Sequence, residues 1–141
     1  MLFRSKLDGK KLFQYIDDNN KIKQIKDFDL NNYLHTYMGK FSIKDFRTYG
    51  GNYYFIKSLL LQTQKYLPTN DKIINHNISH ALKITAYHLR HSKSISKKNY
   101  VMNYIIELYQ SNPDYFIRRK YDDVDLVLID LLKKYKKTYD N

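Results

Sequence analysis

The sequence predicts a mainly α fold, with at most a short hairpin at its N-terminal end. From about Asp27 onward, apolar residues recur at helical intervals. Stop signals at Gly39 and Pro68 divide that pattern into segments. Only one strand-turn-strand pattern precedes it.

The elements follow in order. LFQYI (12–16) reads as a strand, DDNNK (17–21) as a polar turn and IKQI (22–25) as its return. Asp29 is a candidate cap for a helix that puts Leu30, Tyr33, Leu34 and Tyr37 on one face before Gly39 ends it. A second helix is expected from Ile43 to about Tyr66, interrupted at Gly50 and Gly51 and closed by Pro68. Asp71 opens a third, running to about Arg90. Ser94 or Ser96 is expected to cap a further helix through Leu108, and Pro113 starts a short one at its first turn. Asp122 or Asp123 opens the last, which ends in KKYKK (133–137). In it Leu126, Leu128, Ile129, Leu131 and Leu132 read as packing residues. No repeat or linker divides the chain, so residues 1–141 are expected to form one domain.

Charge points to the partner. The 25 Lys and Arg outnumber 14 Asp and Glu, a net charge of +11. Such a surface attracts polyanions and loses affinity as salt rises, so nucleic acid is the expected partner. With no cysteine there is no disulfide or thiolate metal site, which fits an intracellular compartment. No apolar run approaches the length of a membrane span or a signal core, so no membrane is expected. His76 and His80 in HNISH lie one helical turn apart, a spacing that suits zinc, but no cysteine or glutamate stands near to complete a set, and no metal is expected.

Fifteen tyrosines make any one of them weak evidence. Tyr100 stands out by its surroundings in HSKSISKKNY (91–100), where Arg90, His91, Lys93, Lys97 and Lys98 cluster without an acid. Such a cluster favours a phenolate and the charge of a phosphoryl-transfer transition state. On an unbroken helix His91 and Tyr100 would face opposite ways, about 13 Å apart along the axis. A turn at Ser92, Lys93 and Ser94 would instead bring His91, at one helix end, close to Tyr100 in the first turns of the next. Taken alone, Tyr100 reads as a core residue, Arg47 as a solvated side chain paired with Asp45, and KKYKK as a solvated helix end.

The joint pattern carries more. FSIKDFRTYGGNYYF (41–55) and HLRHSKSISKKNYVM (88–102) resemble the active-site half of type IB DNA topoisomerases, especially the compact viral and bacterial enzymes. Residues 9–34 and the tail from Glu107 to Asp125 are similar to the same family's flanking segments. The resemblance thus covers nearly the whole chain, but only the C-terminal portion of the family's catalytic domain. The clamp and the first part of that domain have no counterpart.

The resemblance implies a helical catalytic domain of the type IB topoisomerase and tyrosine recombinase kind. It implies ATP-independent relaxation of supercoiled duplex DNA, with Tyr100 as nucleophile forming a 3′-phosphotyrosyl link. Arg47 would clamp the scissile phosphate and His91 would hydrogen-bond a non-bridging oxygen. Lys44 and Asn52 would support the site or contact DNA, with Arg90, Lys93, Lys97 and Lys98 as further DNA contacts. No cofactor is implied, and the protein is expected to act at DNA as a monomer. Arg90 replaces the glycine usual before the histidine. The family's upstream arginine and general-acid lysine precede the matched segment; Lys6 or Lys10 in SKLDGKK (5–11) is a candidate substitute, and a second chain another source. The competing readings are a tyrosine recombinase or integrase, against which KDFRTYGGN (44–52) speaks, a DNA-binding remnant without catalysis, and one half of a split enzyme.

Overall fold

The computed structural model describes residue 11 and residues 13–139. Residue 12 of the expected first strand, together with Lys6 and Lys10, lies outside them. By contacts the chain forms two compact units, Met1–Asp45 and Phe46–Asn141.

In the first unit, β1 (Gln14–Ile16) and β2 (Ile22–Gln24) pair antiparallel, with Tyr15 opposite Lys23. Asp17 builds the turn between them: its carboxylate accepts from the Asn19 and Lys21 amides and pairs with Lys23 at 2.9 Å. Asn20 takes the left-handed conformation there, which Asn tolerates. The helix α1 (Asp27–Met38) begins two residues before the candidate cap. Lys26 is its N-cap, and Asp29 sits in the first turn and accepts from the Lys26 amide at 2.8 Å. None of its residues is buried. Gly39, at φ 64°, ends it.

The second unit holds the core and six further helices among the described residues. They are α2 (Ile43–Lys65, whose first turn belongs to the first unit), α3 (Asp71–Leu89), α4 (Lys93–Asn99), α5 (Asn103–Ser111), α6 (Asp114–Ile117) and α7 (Val124–Tyr139). The α2 helix is continuous through Gly50 and Gly51, where an interruption was expected. Its first turn is closed by Asp45, whose carboxylate accepts from both the amide and the hydroxyl of Ser42 at 2.7 Å and is thereby held below its ordinary pKa. Phe55, Ile56, Leu59 and Leu60 follow the helical period and are buried against Ile78 and Leu82 of α3, Ile105 and Tyr109 of α5 and Val127 and Leu131 of α7.

One polar network crosses this core and is satisfied. The Thr63 hydroxyl donates to the Leu59 carbonyl at 2.7 Å, so the buried Tyr109 phenol must donate to Thr63 Oγ1, also at 2.7 Å. Asn77 in turn donates to the Tyr109 oxygen and to the Tyr66 carbonyl, at 2.9 Å each. Breaking a network of this kind strands buried partners, at a cost of about 1–3 kcal/mol each.

Two expectations are corrected here. The single helix from Ser94 or Ser96 to Leu108 is two helices, α4 and α5, separated by Tyr100, Val101 and Met102, and Ser92 is the N-cap of α4, accepting from the Ile95 amide. Of the five leucine and isoleucine residues expected to pack in α7, Leu128 and Leu131 are buried, beside Val124 and Val127, whereas Leu126, Ile129 and Leu132 are exposed. The helix is narrower in its buried stripe than its composition suggests, because only positions spaced three and four apart face the core.

Candidate active site

The site is built on the end of α3. Arg90 has φ 57° and ψ 41°, the left-handed conformation, while the His91 amide donates to the Ala86 carbonyl at 3.0 Å and the Arg90 amide to Tyr87 at 3.3 Å. This is a Schellman ending, with Arg90 in the position where glycine is usual. The glycine expected before the histidine is thus accounted for by backbone conformation, and Arg90 holds it at some strain. Its exposed side chain lies over the Tyr87 ring, 5.1 Å from the centroid.

This ending aims His91 at Arg47 of α2. Arg47 Nη2 donates to the Leu89 carbonyl at 2.8 Å and lies 2.8 Å from His91 Nε2. A cation at the carbonyl end of α3 is favoured by the helix dipole. The expected pairing of Arg47 with Asp45 does not occur; Asp45 is held by Ser42.

Tyr100 completes the group. It is the C-cap of α4, and not in the first turns of a helix as expected, because the Tyr100 and Val101 amides both close on the Ser96 carbonyl and end that helix. The His91 and Tyr100 rings are stacked, with centroids 5.5 Å apart and planes at 3°, and the Arg47 Cζ is 5.4 Å from the Tyr100 centroid. Both His91 and Tyr100 are half-buried, and Arg47 is exposed.

Asn52 lies beneath. It is 3% exposed. Its amide nitrogen donates to the Thr48 and Tyr100 carbonyls at 2.8 and 3.0 Å, and its Oδ1 accepts from the Met102 amide at 2.9 Å. Both amide hydrogens are committed to backbone, so neither is left for a DNA phosphate. The helical pattern gives Gly51 only the sense of an interruption, whereas the fold gives it a contact with Tyr100. A Cβ there would stand 2.8 Å from Tyr100 Cβ and 2.9 Å from the Tyr100 carbonyl oxygen. The signal is two glycines inside a helical pattern, a costly choice that calls for a packing reason.

The remaining candidates scatter. Lys97 and Lys98 are exposed in the last turn of α4, next to Tyr100 in sequence. Lys93, at the other end of α4, donates to Ser79 Oγ of α3 at 3.1 Å. Lys44 is exposed and falls in the first unit. Among the described residues no three of His, Cys, Asp and Glu gather as a metal site, and no helix is long and apolar enough to cross a membrane.

Residues 1–119 match the family described as the catalytic core of eukaryotic DNA topoisomerase I. The chain belongs to that family. It is also 52% identical, over 137 residues, to the DNA topoisomerase 1B of Acanthamoeba polyphaga mimivirus. The match covers 94% of this chain and 41% of the viral protein, so the chain spans well under half of that relative's length. Membership in the topoisomerase I family agrees with the mainly helical architecture and with the resemblance carried by residues 41–55 and 88–102.

Proposed function

We propose that this chain carries the nucleophile half of a type IB DNA topoisomerase site, and that Tyr100 attacks a phosphodiester of duplex DNA. The Tyr100 Oη forms a bond to phosphorus as the bond to the 5′ oxygen breaks. The phenol proton leaves and the departing oxygen gains one, so the products are a 3′-phosphotyrosyl link and a 5′-hydroxyl strand. The free strand rotates, and reversal rejoins it without ATP because the phosphodiester energy is retained in the tyrosyl ester.

Within this reading Arg47 takes two oxygens of the phosphate through its planar fork, and His91 holds a non-bridging oxygen. Asn52 is a positioning residue that fixes the backbone on both sides of Tyr100. Arg90, Lys97 and Lys98 meet neighbouring phosphates, as does Lys44. The protein works as a monomer on duplex DNA. An acid for the 5′ oxygen is supplied by residues outside those described, in this chain or on a second one.

The observation that carries the reading is the convergence of Arg47, His91 and Tyr100 from α2, the end of α3 and the end of α4, within 2.8 Å for the first pair and 5.5 Å for the ring pair. The test is a nicked suicide duplex incubated with the protein, alone and mixed with the upstream part of a related enzyme. The expected result is a denaturant-resistant adduct that maps to Tyr100 and disappears in Tyr100→Phe. An adduct that persists in Tyr100→Phe, or none in either mixture, overturns the proposal.

A further inference from the structure

A separate cavity of about 410 Å³ lies between α3 and α4, lined by His76, Ser79, His80, Lys83 and Lys93. The first four fall on one face of α3 by helical spacing, and the packing of α4 brings Lys93 over them, its Nζ 3.1 Å from Ser79 Oγ. Two imidazoles, two ammonium groups and a hydroxyl therefore share one hollow whose lining, among the described residues, holds no carboxylate. The His76 and His80 rings are 6.5 Å apart. His80 Nδ1 is buried and has no hydrogen-bond partner among the described residues. Burial holds the His80 imidazole below its ordinary pKa, and His76, Lys83 and Lys65 of α2 add to this by repulsion.

An orphaned buried nitrogen beside unopposed cations is a costly arrangement unless something negative completes it. A divalent metal would suit two histidines alone, but two ammonium groups repel it. A group with several acceptor oxygens and one or two negative charges satisfies every donor at once. We propose that this cavity is a phosphate-binding subsite, in which Lys83 and Lys93 supply charge while Ser79, His76 and His80 supply hydrogen-bond donors. Entry of the phosphate draws a proton from solvent onto His80, because the added negative charge offsets the surrounding Lys65, Lys83, Lys93 and His76.

The phosphate has two possible sources. One is the DNA backbone beside the cleavage site, since His91 lies on the loop that joins α3 to α4 and Lys93, two residues on, opens α4; this source rests on the function proposed above. The other is free phosphate or the phosphate of a nucleotide.

The test follows the imidazole resonances of the full chain by NMR, with inorganic phosphate and then a short duplex as probes, at ionic strength held constant with sodium chloride. Inorganic phosphate should shift the His76 and His80 signals and move the His80 titration to higher pH. The double variant Lys83→Gln, Lys93→Gln should weaken this at least tenfold while keeping a wild-type circular dichroism melt. Matching shifts with the duplex, with a salt slope reduced by about one or two in the double variant, assign the subsite to DNA. Shifts with phosphate alone support the subsite and assign it to free phosphate. No shift of His80 with either probe, or an equal shift with sodium chloride alone, overturns it. Tyr100→Phe should leave the phosphate response intact while abolishing the adduct, so failure of the subsite and failure of the proposed reaction are separable.

Discussion

Arg47 Nη2 stands 2.8 Å from His91 Nε2, and since a guanidinium has only donors, His91 must be the acceptor. The imidazole in this arrangement is neutral, with its proton on Nδ1. A phosphate oxygen held by His91 Nε2 needs a proton there instead. Binding DNA should therefore change the protonation pattern of this ring. Nitrogen NMR is expected to show the Nδ1–H tautomer in the DNA-free protein and a protonated Nε2 in a complex with an uncleaved duplex. His91→Ala should lower the rate of adduct formation by about 10²–10³, the usual cost of one oxyanion donor. An unchanged tautomer on DNA binding would sink this assignment.

Gly51 meets Tyr100 too closely for any side chain, with 2.8 Å to Tyr100 Cβ. Gly51→Ala must push α2 and the end of α4 apart. Overpacking of this kind costs about 1–3 kcal/mol, and adduct formation should fall more than tenfold while α3 and its Schellman ending persist. A thermal melt beside single-turnover cleavage measures both.

Asn52 clasps Tyr100 and Met102 by their backbones. Asn52→Ala leaves buried donors and acceptors stranded, for a stability loss of about 2–3 kcal/mol. Adduct formation should drop in rate, whereas noncovalent DNA affinity and its salt slope should stay near wild type, because the amide faces inward. A changed salt slope would instead make it a DNA contact.

Arg90 occupies a glycine position at φ 57°. Arg90→Gly removes backbone strain but adds chain entropy to the unfolded state, so the net effect on stability is a gain of up to about 1 kcal/mol. The cation is lost as well, and the salt slope of DNA binding should fall by about one. Denaturant melts and binding at several salt concentrations separate the two effects.

Tyr115 donates to Asp130 Oδ2 at 2.6 Å, and Arg119 donates to the same oxygen at 2.8 Å. The Tyr115 bond, aided by Arg119 and Lys134, holds the Asp130 carboxyl below its ordinary pKa, and burial followed by the bond to Asp130 holds the Tyr115 phenol well above its own. For the depressed carboxyl, stability is present above its unfolded value near 3.9 and is lost as pH falls through the folded one. For the raised phenol, stability is present below its unfolded value near 10 and is lost as pH rises through the folded one. Tyr115→Phe should thus cost about 1 kcal/mol between roughly pH 5 and 9, a modest figure because the pair is partly exposed. The difference from wild type should shrink on either side of that window, as followed by urea melts.

Much of the local structure was legible in residue order. Helical spacing and stop signals marked α2, α3 and α7 closely, because a periodic apolar face and a proline or glycine act over a few residues. Residue order marks the break near Ser92 but places the cap two or four residues late, at Ser94 or Ser96, since three serines compete there and only packing selects among them. The division of α4 from α5 was not legible. Tyr100 ends a helix because its backbone is drawn to Asn52 and pressed against Gly51, both some fifty residues away in sequence.

The sequence by itself determined which chemical groups this protein has to work with: a guanidinium, an imidazole and a phenol, a strong excess of cations, and a family membership carried by residues 41–55 and 88–102. Only the tertiary structure decided which of them meet. Contacts between residues distant in the chain depend on how helices pack, and no local rule specifies that. Packing placed Arg47 on the carbonyl end of α3, turned Asn52 inward to grip the Tyr100 backbone, and drew Lys93 away to the basic hollow with His80.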